Sequence, residues 1–364
     1  MKIAICSDYF YPKIGGITTH IEDLAKNLEK RGHSVIIITK KAKFDDRSHG
    51  LNVIRINSFF RTSNTVDIPQ LTELKNVIKK VKPDIIHTHH AFSPISLFSL
   101  AIGKKLKIKR ILTNHSIQFL YDFDYLWKPS SYLLFPYKLY INDANKIIAV
   151  SSAAATFISH FTNKEIEVIP NGIDVKSFAP KTKKFSGKNI LFVGRFCYRK
   201  GLHLLLESMG FIIKENKEIK LTIVGKGYMK SILKLLIRTL NLQKNVIIKE
   251  NLNKEELINL YKKSDVFVMP SIFGESFGIV LLEAMASKIP IVATKQGGIK
   301  EIIIHNRTGL LIEKKRPKKF AENIMNLLNN KKLSKKLSSN AYNEVKKYNW
   351  NNIIKKIENI YEDI

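Results

Sequence analysis

A chain of 364 residues is longer than one hydrophobic core usually supports, so two domains are expected. Its 45% hydrophobic and 10% aromatic content is ample for globular cores and excludes extended disorder. The net charge of +30 calls for an anionic partner, whether membrane surface, nucleic acid or polyanionic substrate, while two cysteines, Cys6 and Cys197, are too few for a disulfide framework or a structural zinc site.

The first apolar run, Lys2 to Ser7, reads as a buried strand with no secretory leader before it, so a reducing, cytoplasmic compartment is expected. Gly15 and Gly16 follow, then a helix from about Thr18 to Arg31 whose Ile21, Leu24, Ala25 and Leu28 share one face. Paired glycines between a strand and a helix fit either a tight turn or a close approach to phosphate at the helix N-terminus. Further strands are expected at Ser34–Thr39, Leu51–Ile56, Ile85–Thr88, Arg110–Thr113 and Lys146–Val150, with helices near Leu71–Val81, Pro94–Leu106 and Ala153–His160. This alternation is the mark of a doubly wound parallel sheet. The apolar runs Ile95–Ile102 and Tyr132–Tyr140 are too short to span a bilayer.

The segment from Glu167 to Pro180 is punctuated by Pro170, Asn171 and Gly172 and reads as a strand and linker. The pattern then restarts, with strands at Asn189–Val193, Lys220–Val224, Asn245–Lys249, Val266–Met269, Ile291–Ala293 and Leu310–Ile312. From Pro317 onward only helices are expected, and the last presents Ile353, Ile354, Ile357 and Ile360 for docking on an existing surface. The domains expected are 1–168, 169–345 and a closing segment 346–364 that returns to the first. The fold class expected is α/β, two doubly wound parallel-sheet domains facing a cleft.

Three groups carry candidate chemistry. Arg195 and Lys200 lie in the loop after the second domain's first strand, beginning at Gly194, where parallel sheets bind ligands; both could hold a diphosphate. The run Gly274-Glu275-Ser276-Phe277-Gly278-Ile279 leads into a helix expected to start near Phe277, with Glu283 one to two turns in. Free N–H groups of Ser276 to Ile279 could meet a diphosphate, Glu283 a ribose and Glu275 the transferred sugar. His115 follows a strand and is expected at the cleft edge. His87, His89 and His90 invite a metal reading, but strand alternation sends His87 and His89 to one face and His90 to the other, so no metal is expected.

These motifs together resemble glycosyltransferase family 4, the retaining enzymes of the GT-B fold, over nearly the whole chain. The likeness rests on Tyr11-Pro12 with Gly15-Gly16, Ile85-Ile86-His87-Thr88-His89, Asn114-His115, Ile169-Pro170-Asn171-Gly172-Ile173-Asp174, Gly194-Arg195 with Lys200-Gly201, and the Glu275/Glu283 pair. It implies a nucleotide-sugar donor, with Arg195 and Lys200 on the diphosphate in place of a metal cofactor, Glu283 on the ribose, Glu275 on the donor sugar, Gly16 on phosphate and His115 on sugar hydroxyls. Within the family, Ser7-Asp8-Tyr9-Phe10-Tyr11-Pro12 and His89-His90-Ala91-Phe92-Ser93 look most like the phosphatidylinositol N-acetylglucosaminyltransferase branch, implying a UDP-sugar and an inositol phospholipid acceptor. Glu250-Asn251-Leu252 lacks the glycine common in the family there, which weakens the choice of nucleobase.

Leu71, Leu74, Ile78 and Val81 form a stripe flanked by Lys75, Lys79, Lys80 and Lys82, which reads either as a basic membrane-docking helix or as a helix packed on the sheet. Lysines spread through the whole chain argue against nucleic acid. The competing readings are a nucleotide-sugar 2-epimerase on the same fold and a non-enzymatic basic binding protein.

Overall fold

The computed structural model describes residues 1–13, 15–42, 48–61, 67–117, 135–182 and 184–364. The chain divides into two compact units, Met1–Gly172 with Trp350–Ile364, and Ile173–Asn349, boundaries four residues beyond those expected from the sequence pattern.

In the first unit, strands β1 (Lys2–Cys6), β2 (Ser34–Lys40), β3 (Val53–Ile56), β6 (Ile85–His89), β7 (Lys109–Asn114), β8 (Lys146–Ala149) and β9 (Ile166–Val168) form one sheet in the order β3-β2-β1-β6-β7-β8-β9. All its pairings are parallel. A two-stranded antiparallel hairpin, β4 (Ser58–Arg61) and β5 (Asp67–Pro69), lies outside it and was not expected from the sequence. Helices α1 (Gly16–Lys30), α2 (Leu71–Val81), α3 (Pro94–Lys105), α4 (Phe135–Ile141) and α5 (Ser152–Ile158) connect the strands. Part of the expected apolar run Tyr132–Tyr140 lies outside the described residues.

In the second unit the sheet order is β12-β11-β10-β13-β14-β15, again parallel, from β10 (Asn189–Val193), β11 (Lys220–Val224), β12 (Val246–Lys249), β13 (Val266–Met269), β14 (Ile291–Thr294) and β15 (Leu310–Ile312). Its helices are α6 (Val175–Phe178), α7 (Leu202–Glu215), α8 (Lys230–Thr239), α9 (Lys254–Lys263), α10 (Ile279–Ala286), α11 (Ile299–Ile302), α12 (Pro317–Asn329) and α13 (Lys331–Val345). No described helix is long and apolar enough to cross a membrane.

Both sheets reverse direction once. The chain runs outward from β1 through β2 to β3 and returns to the other side of β1 as β6; it does the same from β10 through β12 to β13. Loops leaving the C-terminal ends of the strands on either side of such a reversal diverge, and the gap between them is where ligands sit in this architecture. The Gly15-Gly16 turn, His89 and His115 all lie at that edge of the first sheet, and Arg195 to Lys200 and Ser271 to Gly278 at that edge of the second.

The last helix, α14 (Trp350–Glu362), belongs to the first unit. Its Ile353, Ile354, Ile357, Ile360 and Tyr361 join one buried cluster with Ile3, Ile5, Ile21, Leu24 and Leu28. Arg31 Nε donates to Glu358 Oε1 at 2.6 Å, His33 Nε2 lies 3.0 Å from the same oxygen, and a Cβ on Gly172 would stand 2.5 Å from the Trp350 ring.

Helix α2 decides between the two readings of its apolar stripe. Leu74, Ile78 and Val81 are buried in a core cluster with Ala4, Cys6, Ile36 and Ile86, so the apolar stripe packs inward and is not available for insertion into lipid. Only Leu71 stays exposed, while Lys75, Lys79, Lys80 and Lys82 remain on the surface as cations.

Candidate active site

In the second unit the site is built by two loops tied to each other. The turn Tyr198–Lys200 follows β10, and Gly201 takes φ +67°, where a Cβ would lie 2.1 Å from the Pro270 carbonyl oxygen. Any side chain at position 201 would push apart the loops after β10 and β13. Two further bonds join them: Ile272 N–H donates to the Arg199 carbonyl at 2.7 Å, and Arg199 Nη1 donates to the Gly274 carbonyl. Arg199 is buried, whereas Arg195 is exposed at the loop's leading edge. Sequence reasoning singled out Arg195 and Lys200 and passed over Arg199, because nothing local distinguishes a buried arginine from its neighbours.

Lys200 Nζ forms an ion pair with Glu275 Oε2, the two side chains being only 12% and 10% exposed. Ser271 Oγ donates to the same carboxylate oxygen at 3.4 Å, and Gly298 N–H donates to the Glu275 carbonyl at 2.9 Å. Burial works to raise the Glu275 carboxyl, but Lys200, Arg199 and Arg195 outweigh it and hold the group below the usual carboxylate range. Burial lowers Lys200 as well, with the two arginines adding repulsion and Glu275 opposing both. The structure thus brings Lys200 and Glu275 together, each engaged with the other.

Helix α10 starts at Ile279, with Gly278 as its N-cap at φ +93°, two residues beyond Phe277, near which the sequence pattern placed it. Phe277 is buried and meets the Tyr348 ring edge-on at 6.1 Å, which makes it a packing residue whose fixed position aims the following turn. The first N–H groups of α10 have no side-chain cap, leaving the helix start suited to an anion. Glu283, on the second turn, is buried and accepts a 2.6 Å hydrogen bond from the Tyr261 hydroxyl on α9. Burial first, and then the Glu283 charge, push the tyrosine far above its ordinary range, so it remains a donor that orients the carboxylate. Tyr261 was not legible in the sequence, since its partner lies on another helix. Asn251 takes φ +57°, the left-handed region that favours glycine, so asparagine makes the turn where the family glycine is missing.

In the first unit, Gly15 is the N-cap of α1 with extended backbone and open space where a Cβ would be, and Gly16 opens the helix. With no side-chain cap at that end among the described residues, the helix start is suited to an anion. His115 is buried just beyond β7, its Nε2 3.1 Å from His89 Nδ1. His87 is satisfied on both sides, by Tyr361 Oη and Thr113 Oγ1 at 2.7 Å each. His90 takes φ +78° past the strand end and meets Ser116 Oγ at 3.0 Å. His20, on α1, has no hydrogen-bond partner for either ring nitrogen among the described residues. Burial holds His20 neutral, down to about 3, and depresses His89 and His115 well below the ordinary imidazole range, with neighbouring histidines adding repulsion.

Two parallel-sheet units, each carrying polar groups at its strand-order reversal, define a fold of the GT-B type. The model for "Glycosyltransferase Family 4" matches residues 14–177 and that for "Glycosyl transferases group 1" residues 174–344. An uncharacterised glycosyltransferase of Methanocaldococcus jannaschii is 30% identical over 100% of this chain and 99% of its own length. The chain therefore belongs to glycosyltransferase family 4 and is a transferase. A subunit of human phosphatidylinositol N-acetylglucosaminyltransferase is 27% identical over 100% of this chain and 76% of its own. The crystal structure of Anabaena HepE in complex with UDP shares the fold, at a TM-score of 0.80 and 19% identity over 100% of both chains.

Proposed function

We propose that this glycosyltransferase moves a hexose or N-acetylhexosamine from a UDP-sugar to a hydroxyl of a phosphoinositide-type lipid, with retention at the anomeric carbon, from the cytoplasmic face of a membrane. The observation that carries the donor half is the buried Lys200–Glu275 pair beside Arg199 and the exposed Arg195, next to the uncapped start of α10. Arg195 and the remaining N–H groups of Lys200 would receive the diphosphate, helped by the N–H groups of Gly278 and Ile279. Glu275 would accept from hydroxyls of the transferred sugar, and Glu283, oriented by Tyr261, from the ribose. In the first unit, the Gly15-Gly16 turn would approach phosphate and His115 the sugar hydroxyls.

Negative charge grows on the departing diphosphate as the glycosidic bond breaks, and fixed cations and helix N–H groups stabilise it without an acid to protonate the leaving oxygen and without a metal. The side chains gathered here offer no obvious covalent nucleophile. The acceptor hydroxyl would then arrive on the face the diphosphate leaves, its proton passing to a diphosphate oxygen as the new C–O bond forms. UDP in the HepE structure and phosphatidylinositol in the human relative's name support the choice of donor and acceptor. Lys75, Lys79, Lys80 and Lys82 support an anionic surface through charge alone, each cation near such a surface contributing about 1 kcal/mol.

The test is nucleoside diphosphate release from a panel of UDP- and GDP-sugars, with and without phosphoinositide liposomes, beside Glu275→Ala and Lys200→Ala. Liposome-dependent UDP release with a glycolipid product, lost in both variants, is expected. Turnover with soluble acceptors alone would remove the lipid assignment, and GDP release alone the uridine assignment.

A further inference from the structure

Three buried histidines meet at the C-terminal edge of the first sheet, each from a different element. His20 comes from the second turn of α1, His89 from the end of β6 and His115 from just past β7. One nitrogen from each lies within 4.8 Å of the other two. The ring centroids form a nearly equilateral triangle, with sides of 5.4 Å (His20–His89), 5.0 Å (His20–His115) and 5.4 Å (His89–His115). At a zinc–nitrogen distance of about 2.05 Å, an imidazole centroid stands about 3.2 Å from the metal, so three rings at tetrahedral angles have centroids about 5.2 Å apart. The triangle has the dimensions of a three-imidazole metal centre.

The hydrogen bonding points the same way. Both nitrogens of His20 are buried without a partner among the described residues, and leaving such a group unsatisfied costs about 1–3 kcal/mol. The nearby His87 shows the opposite case, each of its nitrogens holding a 2.7 Å partner.

We propose that His20, His89 and His115 form a binding site for one borderline-soft divalent metal ion of the zinc, cobalt or nickel class. Neutral imidazoles are suited to these ions, while magnesium and calcium require oxygen ligands that this set lacks. The 3.1 Å contact between His89 Nδ1 and His115 Nε2 matches an edge of a tetrahedral site, about 3.3 Å. For both nitrogens to ligate, the proton they share moves within one ring; on His89 it goes to Nε2, so no proton need leave the pair. His20 can turn its ring toward the ion without breaking a hydrogen bond. A water or hydroxide completes the fourth position. Metal here would tie α1, β6 and β7 together and occupy the His115 side chain, placing the donor-sugar contact proposed for it under the control of metal supply. That last consequence rests on the proposed role of His115; the site itself does not.

The experiment is titration of the EDTA-stripped full chain with cobalt(II), read by the visible absorption of tetrahedral cobalt, then displacement by zinc. One equivalent bound with that spectrum, and a rise in Tm with zinc, are expected. His20→Asn should weaken binding by more than about 100-fold, whereas His160→Gln, a histidine remote from the cluster, should leave it unchanged. His115→Gln, at the most exposed of the three positions, provides a second variant if His20→Asn does not fold. Absence of the tetrahedral spectrum, or equal binding in the parent and both cluster variants, would overturn the site and leave ordered water as the occupant of the triangle. Neither result depends on any sugar being transferred, so it is distinguishable from failure of the glycosyltransfer reading.

Discussion

Replacing Lys200 by methionine separates what the buried ion pair does for folding from what it does for the donor. In Lys200→Met the Glu275 carboxylate stays buried without its partner, and breaking a buried pair by removing one member costs about 3–5 kcal/mol. Arg199 and Arg195 still face the carboxylate, which puts the expected loss at the lower end, about 3 kcal/mol. At a urea dependence of about 2 kcal/mol per molar, the midpoint should fall by about 1.5 M. The double variant Lys200→Met/Glu275→Leu replaces both charges with apolar groups and should recover about 2 kcal/mol or more, since such exchanges are often neutral. Its affinity for UDP should nevertheless stay as low as that of the single variant. Urea unfolding followed by far-UV circular dichroism gives the first quantity and calorimetric UDP titration the second. If the single variant loses less than about 1 kcal/mol, or the double variant is no more stable than the single, the pair is not the buried charge couple described above.

Two other outcomes are expected. Tyr261→Phe removes the 2.6 Å hydrogen bond to Glu283, which should cost about 1.5–3 kcal/mol and weaken UDP binding; unchanged UDP affinity would detach Glu283 from the ribose. Asp8, whose Oδ2 accepts from the Ile95 N–H at the start of α3, is pushed by burial to about 6 against the opposing pull of Ser93, Ile95, Lys40 and Lys13. The folded chain therefore holds that proton more tightly than the unfolded one, and stability should decline by about 2 kcal/mol as pH rises from about 4 to 6. Asp8→Asn should flatten the decline, and a pH profile of Tm identical in both proteins would show that Asp8 does not titrate in this window.

Much of the scaffold was legible because strands buried on both faces leave unbroken apolar runs such as Ile3-Ala4-Ile5-Cys6 and Val266-Phe267-Val268-Met269. Docking of the last helix was legible from the spacing of Ile353, Ile354, Ile357 and Ile360. The hairpin β4–β5 was not, since short strands with polar and proline residues carry little periodic signal. At the site, Arg195, Lys200, Glu275 and Glu283 stood out by motif, whereas Arg199 and Tyr261 acquire their roles only through partners 75 and 22 residues away. The histidine triangle was hidden for the same reason. Alternation within one strand relates His87, His89 and His90 to each other, but His20 reaches His89 only because α1 packs beside β6.

The return of residues 350–364 to the first unit has a consequence for synthesis on the ribosome. Ile353, Ile354, Ile357 and Tyr361 fill the same core as Ile3, Ile5 and Leu24, so the half made first is completed last. Residues 173–349 emerge in full before that helix does and can close their own sheet while the earlier half waits with an open apolar face, reversing the usual order in which nascent domains mature. A chain stalled before Trp350 would carry a finished second unit and an unfinished first, the state in which a holding chaperone should find it.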